Sequence, residues 1–430
     1  MTHPRERRPW TAWQVVIGFG GVSLAVDLVA DGARSIAGPL LGELGATALV
    51  VGLVTGSAEA LGFILRLVSG PIVDRTRRYW NAAIAGYALT AVSIPLLAVT
   101  PFLGAIGLTV ASALIILERI GKAVRSPAKT VLLAFAANAV GRGRGFGVHK
   151  LLDQIGAFSG PLLVAAVIAA TGMLWPAFAV LLVPALLAMA LLLWMRSRVP
   201  DPSGFETVET APAEARDAAN VEAANVEAAH ESVEHSGRRI PVTFLLFSAS
   251  TALTALGLIG FGVLSFHLTD AAIVPLAGVP LIFALGMLAA AIAAVVTGRL
   301  YDRWGGAVLL VVPLLASGVP LLVLSDGIGG ALVGIILWGA AIGIQDSTVK
   351  ALVADLVPPA RRGTAYGVFA VFQGVGTLAG AALAGALYPN AIAIAAVTVP
   401  LQVVALVLLI VVVRRQRREP VGPPASFTAA

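Results

Sequence analysis

The chain has 430 residues, of which 58% are hydrophobic and only 12% charged, and its mean hydropathy is +0.92. A soluble globular domain carries about a quarter charged residues, so this composition excludes one and places the chain in a bilayer. The net charge of +6 calls for no nucleic-acid partner, because the basic residues cluster where anionic lipid headgroups would lie; the lack of cysteine excludes disulfides, thiolate metal sites and cysteine nucleophiles.

A hydrocarbon core needs about 20 apolar residues per helix, and long Leu, Val, Ile and Ala runs fit helices where a barrel would show short alternating segments. Breaking the chain at its Gly, Pro and charged residues predicts spans over 13–36, 45–68, 80–99, 102–124, 146–170 and 173–195, then 242–268, 273–297, 306–325, 328–350, 364–387 and 391–413. The first span is too long for a cleavable signal peptide. Residues 196–240 interrupt the series with an Ala-, Glu- and Asn-rich stretch that repeats Ala-Ala-Asn-Val-Glu at 218–222 and 223–227. Such a composition cannot bury a core, so it reads as a flexible, partly helical tether. The expected organisation is 1–195 as one six-helix bundle, 196–240 as linker, 241–413 as a second bundle and 414–430 as a tail.

The loop charges orient these spans. Arg5, Arg7 and Arg8, then Arg75, Arg77, Arg78, Arg142, Arg144, Arg303, Arg361 and Arg362, and finally Arg414, Arg415, Arg417 and Arg418 all fall on one side, whereas the loops around 38–44, 100–104, 171–175, 269–278, 325–330 and 388–391 contain no Lys or Arg. Lys and Arg stay cytoplasmic. The sequence therefore predicts an integral protein of a prokaryotic cytoplasmic membrane, with both termini in the cytoplasm.

The halves repeat each other. Gly70-Pro71-Ile72-Val73-Asp74-Arg75 returns as Gly298-Arg299-Leu300-Tyr301-Asp302-Arg303, an offset of 228 (298 − 70), and the run from Arg142 to Val148 returns from Arg362 to Val368, an offset of 220 (362 − 142). The first pair reads as a Gly-x-x-x-Asp-Arg turn after the second span of each half.

Two six-helix halves, a long central loop and this repeated turn resemble the major facilitator superfamily of secondary transporters, over nearly the whole chain. The family signature continues with Gly-Arg-Arg; here Gly70, Asp74, Arg75, Arg77 and Arg78 fit, with Arg77 where the glycine would stand, and the second copy keeps Gly298, Asp302, Arg303 and Gly305 without the closing arginines. The resemblance implies that Asp74 clamps the cytoplasmic side against the eleventh helix. A purely topogenic basic loop would explain the arginines but not the repeated Asp. In the fifth span Gly156, Gly160 and Pro161 resemble the first part of the family's antiporter signature, with Val164-Ala165-Ala166 in place of its further glycines. Pro161 would bend that helix, and the small residues would allow close helix approach.

Ionisable residues inside a span are costly and mark substrate or proton paths. The first helix carries Asp27, Asp31 and Arg34 on one face, the second Glu59 and Arg66, the fourth Glu118 and Arg119 with Lys122, Arg125 and Lys129 toward its inner end, and the fifth His149, Lys150, Asp153 and Gln154. The second half offers Asp346 and a mostly apolar set, Phe261, Phe266, Phe283, Trp338, Phe369 and Phe372 with Gln373, whose aromatics read as helix packing before pocket lining. Lys122, Arg125 and Lys129 read equally well as topology signals, and internal ion pairs compete with a coupling role for Asp27, Glu59, Glu118 and Asp153. The leading expectation is proton-coupled export of a small organic solute by a monomer. Uptake of a small organic anion is the alternative, and a non-transporting sensor the distant third. Without a Walker loop, a nucleophile elbow or a metal-ligand spacing, the expectation is no enzyme, no cofactor and no metal.

Because the chain lacks cysteine, topology is directly testable: Ser325→Cys and Asn390→Cys are expected to react with an impermeant maleimide outside intact cells, and Ser203→Cys and Ser236→Cys are not. The reverse labelling would invert the orientation.

Overall fold

The structure is a computed structural model that describes residues 10–201, 205, 241–357 and 361–418. The amino-terminal arginines Arg5, Arg7 and Arg8, nearly all of the expected linker and the tail beyond Arg418 lie outside the described residues. Among the described residues the protein is all helical, with no strand. The first half contains α1 (Ala12–Ser35), α2 (Ala37–Glu43), α3 (Ala48–Thr76), α4 (Tyr79–Leu96), α5 (Gly107–Val140), α6 (Arg142–Thr171), α7 (Leu174–Val180) and α8 (Leu182–Arg198). The second contains α9 (Val242–Gly257), α10 (Phe261–Asp270), α11 (Gly278–Trp304), α12 (Val311–Val323), α13 (Ile328–Leu356), α14 (Arg362–Leu387) and α15 (Ala391–Arg418). α7 with α8 and α9 with α10 each form one crossing, and the continuous apolar run Gly278–Val323 divides at Gly305, whose φ of +59 is open to glycine at little cost. The result is twelve crossings in two six-helix bundles.

Several helices outrun their apolar stretch on the basic face. α3 continues to Thr76 and α5 to Val140, where apolar runs suggested ends near 68 and 124. On α3 the charged side chains there, Asp74 and Arg75, are exposed to water and cost the helix little, whereas on α5 Arg125 is buried. The Gly-x-x-x-Asp-Arg segment is therefore not a turn, as the spacing suggested, but the last turns of α3. The chain reverses only at Arg77, whose φ is 52, and the second copy likewise closes α11.

The repeat survives in three dimensions at the offsets read from the sequence. α3 ends at Thr76 and α11 at Trp304, 228 apart (304 − 76), while α6 begins at Arg142 and α14 at Arg362, 220 apart (362 − 142). Packing follows the same register. A Cβ at Gly156 would strike the Leu24 carbonyl and one at Gly160 the Leu28 carbonyl, so α6 lies backbone to backbone on α1; Gly376 and Gly380 of α14 meet the Ala252 and Leu256 carbonyls of α9 in the same way. Gly156 and Gly160 thus serve close approach, as small residues do between membrane helices, and α6 passes through Pro161 as one helix.

At the face opposite the chain ends the halves close on each other. Gly38 abuts the Gly262 carbonyl, Gly52 the Ala381 carbonyl and Gly385 the Ala48 carbonyl, and the Phe266 ring covers Gly42. Tyr388 donates a hydrogen bond to Asp270 at 2.6 Å and lies 3.3 Å from His267 Nδ1. Burial, and then the Asp270 carboxylate, push the Tyr388 phenol above its ordinary pKa, so it stays a donor across the physiological range.

Overpacking a filled site costs about 1–3 kcal/mol. Gly156→Ala and Gly376→Ala are each expected to lower stability by about that much in thermal unfolding, whereas Gly70→Ala, which meets nothing within 4 Å, is expected to be neutral or slightly stabilising. Equal effects at the three sites would contradict the packing account.

Candidate functional site

Between the halves lies a cavity of about 740 Å³, within the range that holds small-molecule ligands. Its lining comes from the middle of the helices and their basic-face halves: Asp27 and Asp31 on α1, Glu59 and Arg66 on α3, Lys122, Arg125 and Lys129 on α5, Lys150, Asp153 and Gln154 on α6. With the far face sealed by the glycine contacts, the space extends toward the basic face.

Two ion-pair clusters organise the first half. In the deeper one Arg34 and Arg119 both hold Glu59 at 2.8 Å, and Arg119 also reaches Glu118 at 3.4 Å. This knot ties α1, α3 and α5 together and borders a small pocket of about 60 Å³. Glu118 Oε1 has no hydrogen-bond partner in it. In the other cluster Lys150 donates to Asp153 at 2.7 Å, Lys129 lies 3.8 Å from Asp153, and Arg125 lies 3.8 Å from Asp27. Arg125 also donates to Thr90 at 2.8 Å and sits over the Tyr87 ring. Asp27 of α1 and Asp153 of α6 thus face one cavity, each beside a cation of α5.

The sequence candidates fall into three groups. Asp27, Asp31, Arg34, Glu59, Arg66, Lys150, Asp153, Gln154 and Asp346 line the cavity. Glu118 and Arg119 line the small pocket instead. His149 is buried behind the wall, 3.5 Å from Ser23, which accepts a hydrogen bond from Lys129 at 3.1 Å. Lys122, Arg125 and Lys129, open to reading as topology signals, all line the cavity, because α5 runs straight through Pro127 and carries them at mid-helix. Their alignment with Glu118 on one helical face was the available signal.

The second half presents an apolar wall. Phe261, Met287, Trp338 and Ile342 face the cavity with Gln345, Gln373 and Thr377, and among the described residues Asp346 is the only ionisable side chain there. Phe283, by contrast, is buried in the second-half core, Phe266 packs into the first-half cluster and Phe369 stacks on Phe247. The wall includes the break between α9 and α10, which frees backbone groups at 258–260; the Trp338 indole donates to the Ile259 carbonyl at 3.0 Å, so irregular backbone at membrane depth is satisfied where it borders the cavity.

Asp74, Arg75 and Arg78 are exposed at the basic face, and none of them forms an ion pair among the described residues; Gly298, Asp302 and Arg303 occupy the corresponding end of α11. No group of three or more His, Cys, Asp or Glu with metal-binding geometry occurs among the described residues.

Two pseudo-symmetric six-helix halves around a polar central cavity define a membrane transporter of the secondary type. The model of the Major Facilitator Superfamily matches residues 21–280 and 242–429, and the chain belongs to that superfamily. Uncharacterized proteins of Mycobacterium tuberculosis and Mycobacterium bovis are each 46% identical to it over 404 residues, covering 93% of both chains. Among solved structures, the peptide transporter POT in complex with sulfate superposes with a TM-score of 0.70 at 16% identity, covering 97% of this chain and 96% of that one. The inward-open xylose transporter XylE from E. coli gives 0.67 at 14% identity, with 97% and 98% covered, and the nucleoside transporter NupG 0.67 at 13%, with 93% and 98% covered.

Removing one member of a buried ion pair costs about 3–5 kcal/mol, because the partner is stranded. Arg119→Met is expected to lower stability by an amount of that order in chemical denaturation, and adding Glu118→Gln is expected to recover part of it. A double variant less stable than the single one would contradict the pairing.

Proposed function

We propose that the protein moves a small organic solute across the cytoplasmic membrane by alternating access, with proton movement as the driving reaction and export as the working direction. The observation that carries this reading is the placement of Asp27 and Asp153, two carboxyl groups on different helices that line the cavity among Arg125, Lys129 and Lys150. Bringing a solute between these carboxyl groups and their cations, or withdrawing it, changes how tightly each carboxyl group holds a proton, which is the coupling a secondary transporter needs. The carboxylates of the deeper knot, Glu59 and Glu118, hold the same relation to Arg34 and Arg119 and form the second element of the path.

The helix-five glycines give export no special support, since Gly376 and Gly380 repeat their packing role in the other half. Uptake of a small organic anion stands as the second reading, favoured by Arg66 and Lys122, two cations on the cavity wall that form no ion pair among the described residues. The gate is assigned to the basic face: Asp74, exposed at the end of α3 in this cavity-open form, would engage the opposing half when that face closes.

Proteoliposomes with an imposed pH difference test the reading. Net proton flux coupled to solute is expected to vanish in Asp27→Asn and Asp153→Asn while solute exchange at equal pH continues, and Asp74→Asn is expected to slow both. Everted and right-side-out membranes separate export from uptake. If both variants still concentrate solute in response to the pH difference, coupling does not run through Asp27 and Asp153.

A further inference from the structure

Most charges on the cavity wall are answered by a neighbour within 4 Å, but among the described residues Arg66, Lys122, Asp346 and Asp31, which feels the charge of Lys122 on its own wall, form no ion pair. Arg66 projects into the cavity from α3, stacked beside Phe63. Lys122 stands one turn from Arg125 on α5. Asp346 faces them from α13 on the otherwise apolar wall, near enough to Arg66 and Lys150 to feel their charges without forming an ion pair among the described residues.

The internal repeat sharpens the point. Arg125-Ser126 and Lys129 of the first half correspond to Asp346-Ser347 and Lys350 of the second, at one offset of 221 (346 − 125 and 350 − 129). At the position where the first half places an arginine, the second places a carboxylate. At this one pair of related positions the two walls carry opposite charges.

Transport requires the cavity to close around its cargo, and closing withdraws water from these groups. An unpaired charge in such a space is costly, so the cargo must answer both signs. A purely anionic solute would leave Asp346 without a partner, and a purely cationic one would leave Arg66 and Lys122. Resting on the reading of this cavity as the transport site, we propose that the substrate is a zwitterion with an apolar body, its anionic group held by Arg66 and Lys122, its cationic group by Asp346, and its body by Phe261, Met287 and Trp338.

A matched set of probes isolates each charge: the dipeptide L-phenylalanyl-L-alanine, its N-acetyl derivative, which keeps only the anion, and its carboxyl amide, which keeps only the cation. Binding to the full chain in lipid nanodiscs is expected to be at least about tenfold tighter for the free dipeptide than for either derivative, about 1.4 kcal/mol. Asp346→Asn is expected to remove that advantage over the N-acetyl form without changing the N-acetyl form's own affinity, and Asp346→Glu to retain it. Binding of the N-acetyl form or the amide equal to that of the dipeptide, no binding of any of the three, or an Asp346→Asn variant that still prefers the dipeptide would overturn the assignment. None of these outcomes bears on the proton-flux measurement with Asp153→Asn, so the two readings fail separately.

Discussion

A charge in the middle of a bilayer persists only where another charge or a polar cavity answers it, and the first half of this protein is built around that requirement. Glu59 is shared by two arginines from different helices, and Arg119 is shared by two glutamates. The two contacts of Glu59 are ties between helices, so electrostatics joins packing in setting the relative positions of α1, α3 and α5. Under the proposed proton coupling the consequence is mechanical, because neutralising one of these carboxylates strands a cation on a neighbouring helix.

Glycine supplies the complementary part. Carbonyl-to-glycine contacts bind α6 to α1 and α14 to α9 in both halves, with no charged group involved. These backbone seams give each half a rigid frame, while the charge pairs of the first half and the apolar wall of the second line the space between. One half senses charge and the other offers a surface that tolerates an apolar body. The break between α9 and α10, its freed Ile259 carbonyl capped by Trp338, places backbone at the same depth as the charged wall opposite.

Much of this was legible in the sequence because it is periodic. The offsets of 228 and 220 read from two short motifs are the offsets at which helix ends and glycine seams recur, and the long apolar runs announced each crossing. The places where reading failed share a cause: hydropathy marks where a helix leaves the hydrocarbon and not where it ends. α3 and α5 continue past their apolar runs, so Asp74 lies on a helix where a turn was expected, and Lys122, Arg125 and Lys129 lie on the cavity wall where a loop-proximal role was equally open. Pro127 contributed to the ambiguity, since a proline tolerated inside a membrane helix looks the same as one that ends it. That the carboxylates of the first half could form ion pairs was legible, but which pairs form was not. That Arg119 binds both Glu59 and Glu118 while Arg66 binds neither depends on how the helices are rotated against each other, and one chain without its fold does not record that. The aromatics divided for the same reason: Phe261 and Trp338 turn to the cavity, and Phe283 and Phe369 turn into the bundle.

The central claim is that the protonation of buried carboxylates in the first half sets which face of the cavity is open. Spin labels at Thr76→Cys on α3 and Arg303→Cys on α11, both exposed at the basic face and one in each half, report the opening between the halves as a distance distribution. The account predicts two populations, a long and a short distance, whose ratio shifts with pH in the parent protein and no longer shifts in the Asp27→Asn, Asp153→Asn double variant. A single distance that ignores pH, or a pH shift that survives in the double variant, would contradict it.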